Sequence, residues 1–145
     1  MAKQMNRAEH LAENNTNISS GASKTLIVIK WMARVYALMI AMQVFIAGMA
    51  TFTNSDWTAH TNFAHFFVIP PVLMILLWFF ARPPVTYLVK SLILLVMVIL
   101  MFVTAVLSFK IGVLSAFHPV IALAMFWNAM KLARQAGARS HKDGI

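Results

Sequence analysis

From residue 24 onward the chain is a succession of long apolar runs, and before that it is mostly polar. Four runs stand out, at residues 26–52, 62–81, 85–109 and 112–130. Each is near the ~20 residues an α-helix needs to cross a hydrocarbon layer of ~30 Å. Lipid offers the backbone no hydrogen-bond partners, so such runs are expected to be helices, which satisfy themselves internally. The connections, 53–61, 82–84 and 110–111, are short, and short connections force antiparallel neighbours. The pattern predicts an all-α, up-down-up-down four-helix bundle in a membrane, occupying residues 24–135. The flanking segments, 1–23 and 136–145, read as polar tails, the first of them mobile. Two of the runs are interrupted. Pro70-Pro71 removes two backbone donors from the second, leaving carbonyls around Phe66 and Phe67 without their usual partners. Pro119 directly follows His118 in the fourth.

Composition supports lipid as the solvent. Hydrophobic residues are 61% and charged residues 11% of the 145, against the usual 45–50% and about 25%. The formal net charge is +8. A basic chain can bind nucleic acid, but here the charges sit in the tails, at run ends or beside the turn at Arg82. Of the 12 Lys and Arg residues, only Lys110 falls on the opposite side from the others. The positive-inside rule then places both termini in the cytoplasm. The reading is a multi-pass protein of the inner (plasma) membrane, with the bilayer as its partner and no nucleic acid. Lys30 and Arg34, four residues apart, and Lys90 are placed to snorkel to inner headgroups. Residues 1–23 lack the apolar core of a secretory signal peptide.

Several chemistries are excluded. The chain has no cysteine, which removes disulfides, thiolate-ligated haem, iron–sulfur clusters and covalent c-type haem. Its only acids are Glu9, Glu13, Asp56 and Asp143, all outside the apolar runs, so nothing suggests a proton-coupled pump. No catalytic residue set is evident. What remains is a few polar groups within the spans, where such groups are costly. His65 lies about one turn into the second span from the outer side, and His118 one to two turns into the fourth. At ~1.5 Å per residue they share a depth. Gln43 is near the middle of the first span, and His60 stands at the outer mouth of the second. Two imidazoles at one depth on two helices are what a bis-histidine haem needs, each giving one ring nitrogen to the iron. The other ring nitrogen then needs an acceptor; Thr61, one turn before His65, is a candidate. A planar macrocycle also wants small neighbours, such as Ala47-Gly48 and Ser115-Ala116, with Lys110 and Trp57 near the outer surface to meet its propionates.

Plainer alternatives exist. A lone intramembrane histidine or Gln43 can be interhelical glue, making the chain an accessory subunit of a larger membrane complex. The 11 methionines, including Met39, Met42, Met49 and the pair Met97 and Met101, could with His60 and His65 bind copper or another metal. Methionine is also a common apolar filler.

With the spans placed, Gln43-x-x-x-Ala47-Gly48, the loop residue Trp57, Asn62-Phe63-Ala64-His65 and His118-Pro119 resemble one four-helix half of the haem A synthase family. That family holds haem between histidines of its second and fourth spans. The features are also similar to those of a family of small, functionally uncharacterised four-span bacterial membrane proteins. The resemblance spans about residues 35–130 and implies a b-type haem ligated by His65 and His118, with Gln43 and Gly48 lining the site and His60 as a reserve ligand. Where the synthase motif runs E-x-x-H-R, this chain has Asn62, His65 and Phe66. The implied role is therefore electron transfer or haem handling, with a redox partner or a second copy of the chain as further partners, rather than the synthase reaction.

Overall fold

The computed structural model describes residues 2–108 and 111–143, with side chains described at 21, 23–107, 111–113 and 116–142. The order is α1 (Ala2–Phe52), α2 (Thr58–Ala64), a 3-10 turn (His65–Val68), α3 (Ile69–Ala81), α4 (Val85–Ser108), a second 3-10 turn (Gly112–Ala116) and α5 (Phe117–Asp143). Among the described residues there is no strand, and the fold is all-α. Three stretches, Ser23–Phe52, Thr58–Ala81 and Val85–Leu107, are long and apolar enough to cross a membrane. α5 is long but more polar, carrying His118, Asn128, Lys131 and Arg134, and is not one of the three.

Several boundaries differ from the expected ones. α1 is assigned as helix from Ala2, through the residues composition reads as a tail. No proline lies within α1, and Ala, Leu, Met, Gln and Glu in its first turns favour helix. α5 likewise continues to Asp143 rather than ending near residue 130. The second apolar helix starts at Thr58 instead of 62, where the Asp56 carboxylate accepts from the Thr58 N–H at 3.2 Å. Its other end is closed by Arg82 in the left-handed region (φ 44°), whose N–H donates to the Trp78 carbonyl at 2.8 Å. Pro83, which has no N–H to donate, follows directly.

The double proline acts as its chemistry requires. Without N–H groups at 70 and 71, the carbonyls of 66 and 67 have no α-helical partner, and the backbone tightens into the 3-10 turn His65–Val68 before α3 begins. A similar tightening, Gly112–Ala116, precedes His118-Pro119. His65 and His118 therefore both stand at a junction between 3-10 and α backbone.

The helices pack through seams spaced alternately three and four residues. On α1 the seam runs through the buried Leu26, Ile29, Ala33, Tyr36, Ile40 and Gln43; on α5 through Ala122, Met125, Ala129, Leu132 and Ala136; on α4 through Tyr87, Ser91, Leu94 and Val98. This is the spacing of left-handed helix packing. Lipid is as apolar as a leucine, so close van der Waals approach replaces water exclusion as the glue, and small residues permit it. α1 and α5, lined with Ala33, Ala37, Ala129, Ala133 and Ala136, make the most extensive contact. At the end that carries both chain ends, Ser23 and Ser140 meet hydroxyl to hydroxyl at 3.3 Å. Lys90 donates to the Gln135 side-chain oxygen there. The outward positions are equally apolar: Leu38 is 68% exposed, Leu123 70% and Phe80 86%. Such a surface suits lipid.

Candidate functional site

A mostly apolar cavity of about 320 Å³ lies at the opposite end, among α1, α2, the first 3-10 turn, α4 and α5. Its polar lining is Gln43, His60, Thr61, His65 and His118; Phe67, Val98, Met101, Phe102 and Met125 supply most of the rest. The chain thus brings His65, His118, Gln43 and His60 to one cavity. Gly48 is not among the lining residues, and a Cβ added there would meet nothing within 4 Å, so no close approach requires its glycine. Ala64 and Ala105 are the small residues that border the space. Lys110 and the side chain of Ser115 lie outside the described residues.

Each histidine is held differently. The Nδ1 of His65 lies 2.9 Å from the Thr61 carbonyl. A carbonyl can only accept, so Nδ1 carries the hydrogen, and in a neutral imidazole so bonded the lone pair is on Nε2. The turn before His65 thus supplies the expected acceptor, through its backbone; the Thr61 hydroxyl is itself bonded to the Trp57 carbonyl at 3.0 Å. The Nδ1 of His118 lies 3.4 Å from the Thr104 hydroxyl oxygen. That hydroxyl is 2.9 and 3.0 Å from the carbonyls of Leu100 and Met101, which take its hydrogen. Its oxygen is left to accept from His118, again leaving Nε2 with the lone pair. Thr104, buried on α4, is not among the residues the sequence singles out; a hydroxyl five residues before the end of the third run is the available signal.

His60 is set apart by its surroundings. Its carbonyl accepts from the Gln43 Nε2 at 2.8 Å, while its Nδ1 and the Gln43 Oε1 are buried with no partner. Its ring stands edge-on to Trp57 at 5.4 Å and lies 6.3 Å from the ring of His118, centroid to centroid. The ring neighbour of His65 is Phe102, at 6.1 Å. Two imidazoles bound to one metal at about 2.0–2.1 Å put their centroids roughly 5–6 Å apart, depending on the angle between them, so the 6.3 Å of His60 and His118 lies at the upper limit of shared ligation. No three His, Cys, Asp or Glu side chains group as a site for a bare ion among the described residues. A porphyrin brings its own four nitrogens and asks the protein only for axial ligands. Of the methionines, Met101 and Met125 line the cavity, whereas Met97 takes a 3.9 Å contact from the Asn128 amide. Met42 and Met49 face outward.

A family model described as a family of unknown function (DUF6220) matches residues 43–107. The similarity begins at Gln43, takes in His60, His65 and Thr104, and ends before His118. This match is not to haem A synthase or to a cytochrome. No curated protein matches the chain, and no solved structure does.

Proposed function

We propose that the chain is a four-span protein of the plasma membrane, both ends cytoplasmic, that binds a b-type haem and serves electron transfer or haem handling. α5 is the fourth span. His65 and His118 would hold the haem, with His60 in reserve and Gln43 a polar wall of the site. The observation that carries the reading is that two cavity-lining histidines each place Nδ1 beside an oxygen, the Thr61 carbonyl at 2.9 Å and the Thr104 hydroxyl at 3.4 Å, an arrangement suited to offering Nε2 to a metal. Ligating histidines characteristically have this arrangement, the outer bond fixing ring orientation and basicity. A bound haem supplies one-electron exchange, and two imidazole ligands leave the iron no open position for oxygen chemistry. The chain's own work is to orient two rings, through the Thr61 carbonyl and the Thr104 hydroxyl, and to exclude water with Phe67, Val98 and Phe102.

The test is the reduced-minus-oxidised spectrum of the protein purified in detergent from haem-replete cells. A b-type α-band that is lost in His118→Ala and His65→Ala supports the proposal. A colourless protein, or a band indifferent to His118→Ala, refutes it and returns the chain to the accessory-subunit reading. If His60→Ala abolishes the band and His65→Ala does not, the 6.3 Å ring pair of His60 and His118 is the ligand pair instead. Topology is separately accessible because the chain has no cysteine. With an impermeant maleimide on intact cells, Ser55→Cys should label, and His141→Cys should label only after permeabilisation. The reverse pattern would overturn the orientation.

A further inference from the structure

A second space, a groove of about 410 Å³, runs between α1 and α3. Its walls are Ile27, Val28, Trp31, Val35, Pro70 and Leu73, and it is almost wholly apolar. Trp31 is 55% exposed and carries two cations: the Arg34 guanidinium lies 5.0 Å from its ring and the Lys30 ammonium 5.7 Å. The stem of Lys30 passes over Gly137 of α5, where an added Cβ would come within 3.3 Å of its Cδ. Like charges four residues apart on a helix repel. The sequence has no acid between Glu13 and Asp56, nor between Asp56 and Asp143. Countercharge for the pair has to come from outside this part of the chain. An apolar groove one of whose walls, Trp31, lies within 6 Å of two cations matches one kind of molecule: an apolar chain with an anionic head.

We infer that this groove binds one anionic phospholipid, its acyl chain against Val28, Val35 and Leu73 and its phosphate bridging Lys30 and Arg34. The inference rests on the membrane location and is independent of haem. A site of this kind would tie α1 to α3 and fix the height of the bundle in its leaflet. The full chain should be reconstituted with equal amounts of phosphatidylglycerol and phosphatidylcholine and examined by native mass spectrometry. One phosphatidylglycerol should remain on each chain in preference to phosphatidylcholine. The double variant K30Q/R34Q should lower that preference roughly 25-fold, taking about fivefold per cation near an anionic lipid. K30R/R34K, which keeps both charges, should retain it. Leu73→Trp, which fills the groove, should reduce retention of either lipid, and it decides the matter should K30Q/R34Q fail to fold. An unchanged preference in K30Q/R34Q, equal retention of both lipids by the wild type, or a lipid-free dimer covering the groove would each overturn the inference.

Discussion

Replacing Thr104 by valine isolates the hydroxyl that orients His118. The two side chains are nearly the same size and similar in helix propensity, so the substitution exchanges an oxygen for a methyl at a position only 8% exposed. The bonds of the hydroxyl to the carbonyls of Leu100 and Met101 duplicate helical hydrogen bonding and cost little to lose. The substantive loss is the acceptor for His118 Nδ1–H. At 3.4 Å that contact is longer than a strong N–H···O bond of ~2.7–3.2 Å. Its net worth therefore falls at the low end of the usual range, about 0.5 kcal/mol. If His118 ligates haem, the same bond also sets ring orientation and basicity, and losing such a partner costs roughly 10–100-fold in affinity. The long distance argues for the lower figure, about tenfold, or ~1.4 kcal/mol. The assay is hemin titration of the detergent-solubilised apoprotein, followed in the Soret band. Thr104→Ser keeps the hydroxyl and should stay within about twofold of wild type. A Thr104→Val affinity indistinguishable from wild type, or an equal loss in Thr104→Ser, would refute the proposed role.

Three further outcomes follow from the packing. Pro70→Ala/Pro71→Ala restores two donors and should let α2 and α3 fuse into one continuous helix; the 3-10 turn at His65 would be lost and hemin affinity with it, so retained affinity would show that the break does not position the ring. Ala133→Leu forces bulk into the α1–α5 seam, where Ala133 is 2% exposed, and should cost about 1–3 kcal/mol in detergent unfolding, whereas Leu38→Ala, at an outward-facing position, should stay within about 0.5 kcal/mol. Gly137→Ala should be stabilising by about 0.5–1 kcal/mol, because its new methyl meets only the flexible Lys30 stem at 3.3 Å; a lower thermal midpoint would contradict this.

Run length in the sequence marks where the long apolar helices lie and bounds α4 to within a residue, but α1 starts at Ala2 and α5 runs on to Asp143, far beyond the apolar runs. The seams are another matter. In a soluble bundle, polarity separates the inner face from the outer one, but here both faces are apolar. Ala37 is 2% exposed and its neighbour Leu38 68%, and hydropathy hardly distinguishes them. What distinguishes them is size, together with the three-four spacing that runs from Leu26 to Gln43. The site was legible as a set of residues, because polar groups stand out against an apolar background. Their pairing was not, because each residue turns a helix by ~100° and a 3-10 turn resets that angle. His60 and His65 are five residues apart on the same apolar stretch. Only the placed backbone shows that one ring neighbours His118 and Trp57 while the other neighbours Phe102.

The prolines connect these observations. A straight α-helix through His65 would present the ring at an angle dictated by its neighbours and would leave no slack in the backbone. The proline pair withdraws two donors a turn later, and the tightened backbone that results begins at His65 itself. In α5 the order is compressed: the 3-10 turn ends at Ala116, and His118 lies between it and Pro119. Both rings are then fixed by a single Nδ1 bond, one to the backbone of its own helix and one to a side chain of the neighbouring helix. The two bonds differ in robustness. The Thr61 carbonyl belongs to the helix that carries His65 and moves with it, whereas Thr104 reaches His118 only if α4 and α5 keep their spacing. Disturbance of the α4–α5 contact should therefore release His118 before His65, and loosening of the bundle should appear first at the fourth helix.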